Sequence, residues 1–69
     1  MDVNKKYGGV IKNWYSDGVV VRGDLYGDPN QRFPEGTFIR TSKVVDIDLE
    51  NMKVETLNTI YDLGGVSGE

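Results

Sequence analysis

Short stretches of alternating apolar and polar residues, separated by turn-forming residues, fill most of this chain, and no apolar repeat of helical period persists. Turn signals recur about every 8–12 residues, a spacing typical of all-β domains. The pattern therefore predicts an all-β fold of five or six short antiparallel strands. Because so few strands must curl to hide their edges, we expect a small barrel, SH3-like or OB-like.

The clearest predicted element is a hairpin near the start of the chain. Asp17 and Gly18 predict a type I′ turn between a first strand, at about residues 7–15, and a second strand from Val19. Gly23 indicates a bend or bulge in the second strand. Alternation divides that strand into two sets: Val19, Val21 and Leu25 inward, and Arg22, Asp24 and Tyr26 outward.

The second half of the chain predicts the remaining strands. Residues 37–42 and 44–48 read as one strand with a kink near Ser42, followed by a turn at 49–52. One or two further strands cover residues 53–58 and 59–63. We therefore expect a single β domain over residues 1–63, followed by a disordered glycine-rich tail over residues 64–69.

Two adjacent aromatic residues, Trp14 and Tyr15, predict one buried and one exposed ring, since neighbouring strand residues point to opposite faces. Alternation places Val10 with Trp14 on one face and Ile11 with Tyr15 on the other. Trp14 is the better core residue. Tyr15, together with Tyr26, is then a candidate for an exposed aromatic patch at a subunit or partner interface.

A polar loop at residues 27–36 holds both prolines and is the strongest candidate for contact with a partner. Prolines reduce the entropy lost on binding, so the loop would present Arg32 and Phe33 at low cost. If strand pairing brings Arg22 and Arg40 close to Arg32, the guanidinium groups form a site for phosphate or carboxylate.

The same loop has a purely structural interpretation, which the sequence leaves open. Phe33 would then fold back to plug one end of the barrel. Arg32 would pair with Asp28 or Glu35.

Catalysis and metal binding are both disfavoured by composition. The chain has no His and no Cys, so Ser or Thr nucleophiles lack their usual base and zinc lacks its usual ligands. The alternating carboxylates of residues 46–51 suggest a calcium loop, but Asn51 occupies the sixth position, where such loops require glycine. We expect no enzyme activity, no cofactor and no metal site.

Size and charge predict self-association. A chain of this length buries only about 60% of the surface that it exposes when unfolded, and without disulfides or zinc an oligomer is the common remedy. The net charge of −3 is unevenly distributed, with +2 over residues 1–43 and −5 over residues 44–69. We expect a homo-oligomer, most simply a two-fold dimer, in which the two halves can complement each other.

Neither a signal peptide nor an apolar run of membrane-spanning length is apparent, which predicts a soluble cytoplasmic protein. The overall acidity disfavours generic nucleic-acid binding, since cationic side chains supply most of that affinity.

Two patterns give a family resemblance: R-F-x-x-G-T-x-I-x-T-S from Arg32 to Ser42, and T-x-N-x-x-Y-x-L-G from Thr56 to Gly64. Together with the string Ile11-Lys12-Asn13-Trp14, they resemble small accessory proteins of bacteriophages and prophages. The resemblance implies a non-enzymatic protein that acts stoichiometrically in the cytoplasm of an infected bacterium, and it implies no particular activity.

Three functions follow as hypotheses. The first is an inhibitor or modulator that inserts Arg32, Phe33 and Tyr26 into a groove of a host protein. The second is an oligomeric sponge that sequesters an anionic nucleotide signal through its arginines. The third is a barrel that binds single-stranded nucleic acid by aromatic stacking. The candidate binding residues are Tyr15, Arg22, Tyr26, Arg32, Phe33 and Arg40.

Overall fold

The computed structural model describes residues 5–64, and these form one sheet of six strands with no helix. The strand order is β3-β2-β1-β6-β5-β4. The strands are β1 (Lys6–Ser16), β2 (Val21–Tyr26), β3 (Thr37–Arg40), β4 (Val44–Asp48), β5 (Lys53–Thr56) and β6 (Thr59–Leu63). The prediction of a small all-β fold with up to six strands is confirmed.

The sheet is not closed into a barrel, so that prediction is wrong. β3 and β4 lie at its two ends, and residues 41–43 connect them without a ladder between the strands. Instead, Thr41 N donates to Val21 O (2.9 Å) and Val44 N donates to Val19 O (2.7 Å). The connection is thus held by backbone near the start of β2, which leaves β3 and β4 unpaired with each other.

The pairing of β1 with β6 is parallel, whereas every other pair in the described sheet is antiparallel. The prediction of a wholly antiparallel fold is therefore wrong at its centre. Hairpin signals report only the pairing of strands that follow each other in the chain. β1 and β6 are joined through four intervening strands, and their relative direction is set by how the β4–β5–β6 meander returns to β1.

The β1–β2 hairpin exists, but its turn differs from the predicted type I′ turn. Ser16 pairs with Val21, so four residues form the loop, and Gly18 has a positive φ (91°) while Asp17 does not. Asp17 Oδ1 accepts hydrogen bonds from the backbone N–H groups of Val19 (2.8 Å) and Val20. This capping draws Val19 out of the strand, and its side chain is exposed rather than inward.

A bulge in β1 explains why two predicted groupings are wrong, namely Val10 with Trp14 on one face and Ile11 with Tyr15 on the other. The register of β1 against β2 shifts between Lys12 and Tyr15, where Asn13 has a φ of 52°. The extra residue brings Trp14 onto the core face with Ile11, although strict alternation separates them. Tyr15 then points outward, as predicted, with 53% of its surface exposed.

Gly23 lies in β2 opposite this bulge rather than forming one itself. A Cβ at this position would lie 2.6 Å from Ile11 Cγ2 and 3.0 Å from Trp14 Cα. Because Gly23 has no side chain, the bulged segment of β1 can lie in close contact with β2.

One face of the sheet carries the core. The buried hydrophobic side chains of the core are Ile11, Val21, Leu25, Val54, Tyr61 and Leu63, and the partly buried Trp14, Ile39, Val44, Ile47 and Met52 pack against it. Gly64 closes this region, because its N–H donates to Ile11 O (2.8 Å) and its carbonyl accepts from Trp14 Nε1 (3.1 Å). The rest of the predicted tail, residues 65–69, lies outside the described residues.

Candidate functional site

The face of β1, β2 and β3 opposite the core, called here the outer face, carries four of the six predicted binding residues: Tyr15, Arg22, Tyr26 and Arg40. Arg22 is the register partner of Tyr15 on β1 and of Arg40 on β3. Directly paired residues project from the same side of a sheet. Tyr15, Arg22 and Arg40 therefore form one row across three strands.

A second row lies beside the first and adds a residue that the sequence analysis missed. Asp24 pairs with Lys12 on β1 and with Phe38 on β3. Phe38 is the most exposed aromatic side chain among the described residues, at 59%. The alternation of β3 could have revealed it, since Phe38 shares the parity of Arg40 and is opposite to Ile39, which packs against the core.

Charges on the outer face are partly balanced within it. Asp17 Oδ2 accepts a hydrogen bond from Arg22 Nη1 (2.9 Å), and this guanidinium, with the backbone N–H groups of Val20 and Val19, lowers the pKa of Asp17. Lys12 Nζ lies 4.7 Å from the centre of the Tyr26 ring, a cation–π contact. Arg40 makes no ion pair with another side chain of residues 5–64.

Tyr26 connects the outer face to the proline-containing loop. It ends β2, pairs with Val10 and lies beside Gly36, whose φ is 82°. A Cβ on Gly36 would approach the Tyr26 hydroxyl to 3.2 Å, so the glycine leaves room for the ring. Tyr15 and Tyr26 thus lie on one face of the sheet, but only Tyr15 is exposed, whereas Tyr26 is half-buried and contacts Lys12.

The loop itself is organised around Asp28, whose side chain is only 3% exposed. Its carboxylate accepts from Asn30 N (2.9 Å), from Arg32 N (3.1 Å) and from Arg32 Nε (3.1 Å). Burial alone would raise the pKa of Asp28, but these hydrogen bonds outweigh burial and lower it. The loop is thus fixed by its own side chain, in addition to its prolines.

Arg32 pairs with Asp28, which is the structural alternative that the sequence left open, whereas Glu35 accepts from Gly27 N (2.9 Å). Asp28 also raises the pKa of Arg32, with a smaller contribution from the Tyr61 hydroxyl. Phe33 does not plug the fold, since 42% of its surface is exposed. An open groove of about 440 Å³ remains, lined by Asp28, Gln31, Arg32, Phe33, Pro34 and Glu35.

The three arginines do not form one cluster. Arg22 and Arg40 are cross-strand neighbours, but Arg32 follows the far end of β2, beyond Tyr26. The four residue steps from Arg22 to Tyr26 span roughly 13 Å of strand. Arg32 also lies near Tyr61, a residue of the core face. The predicted residues are therefore divided between the outer face and the loop groove.

Residues 46–51 comprise the end of β4 and the start of the turn that leads to β5. Asp48 accepts hydrogen bonds from Asn51 N (3.1 Å) and Asn51 Nδ2 (2.8 Å), which close the β4–β5 hairpin. Within residues 5–64, no group of three or more His, Cys, Asp or Glu side chains is placed to hold a metal ion.

The part of the chain that the structure describes has no helix long and apolar enough to cross a membrane. Comparison of the chain with protein-family models, curated proteins and solved structures finds no match. Its function is therefore inferred from the geometry of the outer face and the loop.

Proposed function

We propose that this chain is a non-catalytic binding protein that docks a partner protein on its outer face. The observation that carries the proposal is the row Tyr15–Arg22–Arg40 with Phe38 beside it, presented on three paired strands. Tyrosine and arginine dominate the energetics of protein interfaces. Side chains on a paired sheet are also held more rigidly than those on a loop, which lowers the entropy lost on binding.

A protein partner fits the charge pattern of the outer face better than a polyphosphate. Asp17 neutralises Arg22, and Asp24 lies between Lys12 and Phe38 in the second row. A run of phosphates would meet these carboxylates, whereas a protein surface can place its own cations and donors against them. The mixture of aromatic, basic and acidic groups therefore favours a protein partner whose surface carries groups of both charges.

An anionic nucleotide is supported less well as the ligand. The predicted pocket required three converging arginines, and Arg32 is already paired with Asp28 at the other end of the hairpin. Arg22 and Arg40 lie on an open sheet face, while small-molecule sites are usually concave.

The proposed setting, the cytoplasm of an infected bacterium, follows from the sequence resemblance to phage accessory proteins. There the chain would inhibit or modulate a host protein by stoichiometric binding. The loop groove with Arg32 and Phe33 is the competing surface for this contact.

The test starts with capture of a protein from bacterial lysate by the full chain, followed by titration calorimetry with the purified captured protein. Because central interface aromatics cost at least about 2 kcal/mol when truncated, Tyr15→Ala and Phe38→Ala should each weaken binding roughly 30-fold or more. Leu57→Ala is the matched control, since Leu57 is similarly exposed but lies between β5 and β6.

Three results would contradict the proposal. Unchanged affinity of Tyr15→Ala and Phe38→Ala, with loss of binding in Phe33→Ala, would assign the contact to the loop groove. A rise in melting temperature with one nucleotide would favour the sponge, since a ligand at about 100 times its Kd adds roughly 2.7 kcal/mol. Tight, salt-sensitive binding of a short single-stranded oligonucleotide would favour a nucleic-acid function.

A further inference from the structure

The free edge of β3 has a regular pattern of unpaired backbone groups. Thr41 N donates to Val21 O, and the β2–β3 register continues without a shift to Ile39 opposite Gly23 and Thr37 opposite Leu25. Antiparallel pairs alternate between hydrogen-bonded and non-hydrogen-bonded. The N–H and C=O groups of Ile39 therefore face β2, whereas Thr37 N donates to Pro34 O (3.1 Å) within the loop.

By the same alternation, the backbone groups of Phe38 and Arg40 point away from β2. β3 ends the strand order, and no hydrogen bond from residues 5–64 reaches the backbone of these two residues on the open side. An edge of this kind is a template for another strand.

We propose that β3 pairs with β3 of a second copy of this chain, antiparallel and about a two-fold axis at Ile39. In this register Phe38 of each copy lies opposite Arg40 of the other, and both residues have outward-facing backbone groups. Each Phe38–Arg40 pair then makes two interstrand hydrogen bonds. The edge is therefore self-complementary, as a two-fold interface requires.

Side chains favour this register as well. Facing residues share a side of the sheet, so Phe38 of one copy would meet the guanidinium of Arg40 from the other, a cation–π pair. The two Ile39 side chains would meet on the core side, where each already packs against its own core. Like charges are not placed directly opposite each other.

Of the two neighbouring registers of the same parity, one is centred on Arg40 and would place two arginines directly opposite each other, and the other, centred on Phe38, is disfavoured by the loop. It would place Gly36 opposite Arg40 of the second copy. Gly36 N already donates to Leu25 O (2.7 Å), so it cannot also serve the open edge.

The other free edge, β4, is poorly suited to self-pairing. Its register against β5 shifts between Val44 and Asp46, and it carries two aspartates within five residues. Bulges and edge charges are devices that prevent strand addition. A two-fold pairing of β4 would also bring these carboxylates close to those of the second copy.

Pairing through β3 would place the outer faces of both copies on one side of a continuous sheet. The two outer faces, each with Tyr15, Arg22 and Phe38, would then form one continuous surface. This dimer goes beyond the proposed function, because it forms without a partner, and its failure would leave the partner-binding test above unchanged.

The test is sedimentation equilibrium of the full chain over a wide concentration range, together with amide hydrogen exchange by NMR. We expect a monomer–dimer equilibrium. The amides of Phe38 and Arg40 should gain protection as the concentration rises, while that of Ile39, already paired with β2, should be protected throughout.

Two variants of Phe38 then distinguish the contribution of its backbone hydrogen bond to dimer affinity from that of its side chain. Proline is tolerated on edge strands where the N–H faces outward, so Phe38→Pro should preserve the monomer fold. It should weaken the dimer roughly 30-fold relative to Phe38→Ala, because each copy loses one interstrand hydrogen bond.

Four results would overturn the proposal. A monomer at every concentration would exclude the dimer. Equal dimer affinity of Phe38→Pro and Phe38→Ala would place the interface elsewhere, as would concentration-dependent protection confined to amides outside β3. Should Phe38→Pro unfold, the exchange data of the unmodified chain decide the question alone. Assemblies larger than a dimer would indicate β3-to-β4 pairing instead.

Discussion

Gly23→Ala is the sharpest test of how the bulge in β1 shapes the outer face. The new methyl group would lie 2.6 Å from Ile11 Cγ2, 2.9 Å from Lys12 O and 3.0 Å from Trp14 Cα. Two of these three atoms are backbone, so a side-chain rotation cannot relieve the overlap and β1 has to move. Overpacking of this kind costs about 1–3 kcal/mol.

A smaller effect opposes the clash, because replacing glycine restricts the unfolded chain and stabilises the fold by about 0.4–1 kcal/mol. The net loss in Gly23→Ala is thus about 0–2.6 kcal/mol, with a mid-range value of about 1.3 kcal/mol. For a domain of this size, the mid-range loss lowers the melting temperature by roughly 5–10 °C.

Urea unfolding followed by the fluorescence of Trp14, the single tryptophan of the chain, measures this loss directly. Leu57→Ala is the control, since its side chain is exposed and lies between β5 and β6, away from the bulge, and we expect its effect to stay within about 0.5 kcal/mol. If Gly23→Ala is as stable as the unmodified chain or more stable, the close contact between β1 and β2 at the bulge is contradicted.

Three further predictions concern the core, the loop and pH. Leu25→Ala empties a fully buried site and should cost about 2–5 kcal/mol in urea unfolding, whereas the exposed Leu57→Ala should cost little; equal losses would contradict the assigned core. Asp28→Asn removes the loop's central acceptor charge, so the Arg32 amide should exchange faster with solvent, and unchanged exchange would show that the prolines alone fix the loop. Burial and the hydrogen bond to Asp62 raise the pKa of Tyr7 to about 12, so the stability given by the neutral hydroxyl is present below pH 10 and lost as the pH rises towards 12. Urea unfolding across that range should show a smaller loss for Tyr7→Phe than for the unmodified chain, and parallel losses would show that Tyr7 is not perturbed.

Local signals predicted the strands well. The break near Ser42, the turn at residues 49–52 and the inward positions of Val21 and Leu25 agree with the structure. These features depend on alternation and on turn residues within a few positions of each other, which the sequence displays directly.

The candidate site was only partly predictable. The outward positions of Arg22 and Tyr15 follow from local patterns, but their alignment with Arg40 depends on strand register. The sequence indicates Asp28 only as a partner for Arg32, whereas its burial and its contacts with the backbone of residues 30 and 32 organise the loop. The alternation of β3 marks Phe38 as an outward residue, but its high exposure depends on β3 lying at a free edge of the sheet.

The sequence by itself determined the all-β class, most strand positions and the residue types able to bind a partner, because these depend on side-chain chemistry and on contacts between near neighbours. Only the tertiary structure decided the open sheet, the parallel pairing of β1 with β6 and the separation of Arg32 from Arg22 and Arg40. Those features arise from packing between residues far apart in the chain. The bulge at Asn13 shows the difference most plainly, since one extra residue opposite Gly23 brings Trp14 into the core and leaves Tyr15 outside.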